Sequence, residues 1–154
     1  MLKLNKDVNN MYDENSYQLI GKKIIRDYIY GGKGIVTLRS PTGVHHTYYF
    51  KRPTDRYNFP DDVLFVYALH NKTQHFYVGM IENNQFRLTK CSRFGEHTPI
   101  VKGVRYILKM MFHDIDTPMK LYHEGVCSIC GRKLTNPKSL DTGIGPKCRR
   151  IYHV

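Results

Sequence analysis

Three cysteines near the C-terminus have the spacing of a metal site. The chain reads Cys127-Ser-Ile-Cys130, and a third thiol follows at Cys148. A Cys-x-x-Cys turn lets two thiolates converge on one tetrahedral ion, with metal–sulfur bonds of about 2.3 Å. Gly131, directly after the second cysteine, permits the tight backbone turn that such knuckles use. Gly143, Gly145 and Pro146 punctuate the approach to Cys148 and suggest a second turn aiming its sulfur inward. The chemistry implied is Zn²⁺ binding. Three thiolates leave one position, for which His123, four residues before Cys127, is the first choice. His153 at the terminus, Cys91 further back, or a water are the alternatives. A closed site is structural, whereas a water-bearing one can do Lewis-acid chemistry.

The charge points to a polyanion. Lys and Arg number 24 against 13 Asp and Glu, a net of +11. Basic side chains that neutralise phosphates release counterions, which drives binding. The density is greatest around the cysteines, at Arg132, Lys133, Lys138, Lys147, Arg149 and Arg150. Three thiolates with one Zn²⁺ would trim that charge by only about one unit. The familiar catalytic signatures are missing: the chain has no His-Glu-x-x-His, P-loop or Gly-x-Ser-x-Gly. His45-His46 are adjacent, so on a strand they point to opposite faces and make a poor ligand pair. The expectation is a non-enzymatic protein. No apolar run approaches the roughly 18 residues of a membrane span. The polar, Asn-rich start is unlike a secretory signal, so a cytoplasmic location is expected, where cysteines serve as metal ligands or free thiols.

The elements that must position these groups read as an α+β domain. Residues 1–15 lack periodicity and read as a flexible tail. Residues 16–119 form the main domain, and 120–154 the zinc-binding module. A helix is expected from Ser16 to Tyr30, with Ile20, Ile24, Ile25 and Tyr28 on one stripe and Gly31-Gly32 stopping it. Strands follow at Gly34–Arg39, Val44–Arg52, Val63–Leu69, His75–Ile81 and Phe86–Lys90, an antiparallel five-stranded meander. A second helix runs from a Thr98 cap and Pro99 to Phe112, and its apolar stripe is core. Chelation is expected to unfold the module and spare the upstream domain.

Two helices cover one face of such a sheet. Strand alternation turns Val36 and Leu38 inward, and assigns Arg39, Tyr49, Lys51, Tyr77 and Arg87 to the other face. Rings among cations suit single-stranded nucleic acid, whose bases stack while its phosphates meet charge.

Leu121 to Arg149 resembles a family of uncharacterised proteins, common in bacteriophages, that end in a small zinc module with one His and three Cys ligands. The shared pattern lies at His123, Glu124, Gly125, Cys127, Cys130, Gly131, Arg132, Leu134, Thr135, Pro137, Ser139, Gly143, Gly145, Pro146 and Cys148. A weaker similarity extends upstream through Ser40-Pro-Thr-Gly43 and Tyr77-Val-Gly-Met. The resemblance implies His123 as the fourth ligand and supplies no activity. The expected function is that of a phage-encoded accessory protein in the host cytoplasm, binding DNA, RNA or a host nucleoprotein complex. The rival is a protein–protein inhibitor of a host enzyme or defence complex, of the anti-restriction or anti-CRISPR type.

Overall fold

Alternating apolar residues and short Gly- and Asn-bearing turns build most of the sheet. The structure is a computed structural model that describes residues 16–54, 58–71 and 73–154. The expected tail, residues 1–15, lies outside them. The strands are β1 (Tyr17–Leu19), β2 (Lys33–Arg39), β3 (His45–Lys51), β4 (Leu64–Leu69), β5 (His75–Glu82), β6 (Gln85–Arg87) and β7 (Lys120–His123). Four helices occur among the described residues: α1 (Lys22–Ile29), α2 (Pro99–Phe112), α3 (Pro137–Thr142) and α4 (Pro146–Tyr152). The strands form one sheet in the order β1-β7-β2-β3-β4-β5-β6, antiparallel throughout.

One face of the sheet carries Val36, Leu38, Tyr48, Phe50, Leu64, Val66 and Leu121, all buried. Against them pack Ile25, Tyr28 and Ile29 of α1 and Val101, Val104, Ile107 and Met111 of α2. At eight residues, α1 is shorter than the roughly 12–15 an isolated helix needs, so this packing holds it. The second helix begins as its sequence implies: Thr98 accepts the N–H of Val101, and Pro99 occupies the first position. Tyr48 extends its hydroxyl to the Ile100 carbonyl at 2.7 Å, fixing α2 over β3.

Two expectations are corrected. The sheet has seven strands instead of five, and the first helix starts at Lys22 instead of Ser16. Both differences have one cause. Tyr17–Leu19 is extended because it pairs with β7, which also pairs with β2. Gly21, at φ 99°, separates β1 from α1. A long-range pairing has overridden a local helical stripe. The β7 strand opens the segment 120–154, yet it is bonded on both sides inside the main sheet. No helix among the described residues is long and apolar enough to cross a membrane.

Candidate metal centre

The cysteines sit on two elements that meet beyond the end of β7. A short hairpin carries the first two. Val126 bridges Lys133, Cys127 N–H donates to the Arg132 carbonyl at 2.8 Å, and Gly131 N–H donates back to the Cys127 carbonyl at 2.9 Å. Gly131, at φ 80°, closes this turn as its position after the second cysteine implies. Cys148 lies in the first turn of α4, which Pro146 opens. Gly143, at φ 75°, ends α3, accepts the N–H of Ser128 at 3.0 Å, and presses on the Tyr28 ring, where a Cβ would collide.

These turns bring the sulfurs of Cys127, Cys130 and Cys148 within 4.8 Å of one another. Tetrahedral coordination with bonds of about 2.3 Å sets sulfurs about 3.8 Å apart, so the trio fits one ion. The surroundings suit thiolates. Cys127 Sγ accepts N–H groups from Ile129 and Gly145, each at 3.4 Å. Burial alone would raise the Cys127 thiol, but the N–H groups of Cys130, Gly145 and Ile129 together hold it below its ordinary range. Burial, then the two neighbouring sulfurs, pushes Cys148 up to about 11. Cys148 thus resists losing its proton unaided, and a bound cation would offset that cost. The three cysteines could therefore hold a metal ion. Its chemistry there would be to cross-link hairpin and helix.

His123 is not among the groups that lie within 4.8 Å of one another. Its Nδ1 accepts the N–H of Gly125 at 3.0 Å, so Nε2 carries the proton and donates to the Leu140 carbonyl at 2.7 Å. Both ring nitrogens are thus engaged within the protein. The ring is fully buried, 5.6 Å from that of Tyr17 and 5.2 Å from that of Tyr28, and burial lowers its pKa. In this arrangement the ring caps the turn at Gly125. Cys91 and His153 are exposed and lie apart from the trio, and no His, Asp or Glu among the described residues joins it.

A groove of about 640 Å³ runs beside the thiols. Arg132, Lys133 and Lys147 line it, together with Ile151 and Tyr152. Lys138 and Arg150 are exposed and Arg149 is half-buried; all three lie outside that lining. On the sheet, the register places Arg39, Tyr49, Lys51, Tyr77 and Arg87 on the face turned away from α1 and α2. Arg87 there meets Glu82 at 3.7 Å. Two residues of this face were not singled out from sequence: Tyr67, between Tyr49 and Tyr77, and Lys33, opposite Lys51. The alternation of Leu64-Phe-Val-Tyr67 carried the signal for the first.

No curated protein and no solved structure matches the chain. Residues 121–153, from within β7 through α4, match a family of unknown function, DUF6011.

Proposed function

We propose that the hairpin, α3 and α4 form a zinc knuckle and that the protein is a non-enzymatic binder of nucleic acid. One observation carries this reading. The hairpin and α4, which gather the three thiols, also gather Arg132, Lys133 and Lys147 around the adjoining groove. A metal-braced scaffold holds these cations at fixed spacing, which lowers the entropy lost when they meet phosphates. The net charge of +11 agrees in sign. The bacteriophage resemblance suits an accessory protein acting on DNA, RNA or a nucleoprotein in a host cytoplasm.

Titrating labelled DNA and RNA with the zinc-loaded chain at several salt concentrations tests the reading. The expected result is an affinity that falls steeply with salt. Absence of binding at low salt would overturn it. A protein-docking role is favoured by a separate observation: Ile151 and Tyr152, side by side at the groove, are 55% and 58% exposed. That role predicts a defined partner whose association survives nuclease and is lost in Ile151→Asp.

A further inference from the structure

Tyr67 of β4 stands between Tyr49 of β3 and Tyr77 of β5, with ring centroids 6.3 and 5.7 Å away. His75 lies 5.9 Å from the Tyr49 ring, and Phe65 lies 6.3 Å from that of Tyr77. The rings form a continuous row across three strands, and none of the five is buried.

The charge beside this row is unusual for a sheet surface. Lys33 of β2 faces Lys51 of β3 directly. Like charges at opposed positions are destabilising, and opposite charges there would stabilise. None of the residues of β2, β3 and β4 is acidic. Lys33 also touches the knuckle. Its N–H donates to the Ser128 carbonyl at 2.7 Å, and its Cδ lies 3.7 Å from where a Cβ on Gly131 would be. Arg132 and Lys133 follow Gly131 directly. Cations therefore run from the groove, through Lys33 and Lys51, to the edge of the ring row.

We infer that the ring row is the base-stacking half of a track for a single nucleic-acid strand, with the knuckle groove as its phosphate-binding half. This rests on the nucleic-acid reading above and names the form of the ligand. An unpaired strand offers both the π-faces that the tyrosines can stack on and the phosphates that would meet Lys33 and Lys51. A duplex hides its base faces and could use only the cations.

The test is fluorescence anisotropy on the full, zinc-loaded chain. The probes are a labelled oligodeoxythymidine strand and the duplex it forms with oligodeoxyadenosine. The parent should prefer the strand. Tyr67→Ala should weaken strand binding roughly 5- to 150-fold and leave duplex binding unchanged. Tyr67→Phe, which keeps the ring, should bind like the parent. Tyr77→Ala provides the same comparison should Tyr67→Ala melt early. Equal losses on strand and duplex, or alanine variants that bind like the parent, overturn the track and leave the nucleic-acid reading standing. A parent chain that binds neither probe removes both.

Discussion

His123 Nε2 donates to the Leu140 carbonyl at 2.7 Å, and this bond ties the interior strand β7 to helix α3 of the knuckle. The histidine is a strut between sheet and metal centre, and its replacement should therefore act on stability before it acts on metal. In His123→Ala the Leu140 carbonyl and the Gly125 N–H lose their partner, at about 1–3 kcal/mol for each group left unsatisfied. Urea unfolding should show that loss. Cobalt substituted at the thiols should keep its sulfur charge-transfer intensity. A cobalt spectrum that loses a nitrogen ligand would return His123 to the metal.

The same residue sets a pH dependence. Burial holds its folded-state pKa below the unfolded value of about 6.5. The unfolded chain then takes up the proton first as pH falls. The stabilisation is complete above about 6.5 and is lost as pH drops from there through the folded-state pKa. Acid also protonates the thiols, but that effect is common to the parent and to His123→Phe. The difference between their unfolding free energies should narrow between pH 8 and pH 5; a constant difference would exclude His123 as its source.

Metal removal should reach further than the knuckle. The expectation from sequence alone, that the upstream domain survives chelation intact, treats residues 120–154 as an appendage. The β7 strand instead lies between β1 and β2, and the Ser128 carbonyl anchors the start of β2 at 2.7 Å. Hydrogen exchange with and without a chelator should show faster exchange in β7 and early β2 as well as in the hairpin. Protection lost in the hairpin alone would restore the appendage view.

Ser128 and Gly31 provide a paired test of the joint. Ser128 is fully buried, and its hydroxyl has no hydrogen-bond partner among the described residues. Ser128→Ala should therefore leave stability unchanged or raise it by about 1 kcal/mol. Gly31→Ala would drive a Cβ into the Ser128 side chain and carbonyl, and should destabilise. Combining the two should recover only part of the loss, since the backbone clash remains. Thermal melts of the four proteins decide it, and additive effects would mean the two residues are not in contact.

For the groove, neutralising Arg132 and Lys133 together should flatten the salt dependence of nucleic-acid binding by roughly 0.7–0.9 in slope per lost phosphate contact. Arg149→Gln with Arg150→Gln, outside the groove lining, should change it less. The reverse ranking would move the contact to the far side of α4.

What sequence could reveal here follows the range of the interactions. Thr98 and Pro99 announce α2 within a few residues, and Cys127, Cys130 and Gly131 announce their turn in the same way, because each signal is local. The pairing of Tyr17 with His123 joins residues far apart along the chain, and nothing near Tyr17 records it. The same distance hides the histidine's role. Its spacing from Cys127 fits a ligand or a turn cap equally well, and only the position of Leu140 decides between them.

The place of β7 in the sheet also constrains how the chain can mature during synthesis. Strands β2 to β6 leave the ribosome before β7 and can assemble as a meander, but the outer edge of β2 stays unfilled until β7 emerges. An unfilled edge invites pairing with other chains. The residues that end this exposure are followed at once by the cysteine hairpin. Supply of metal as the hairpin and α4 emerge would then govern how much of the newly made protein escapes aggregation, and expression in metal-starved cells would shift it toward the insoluble fraction.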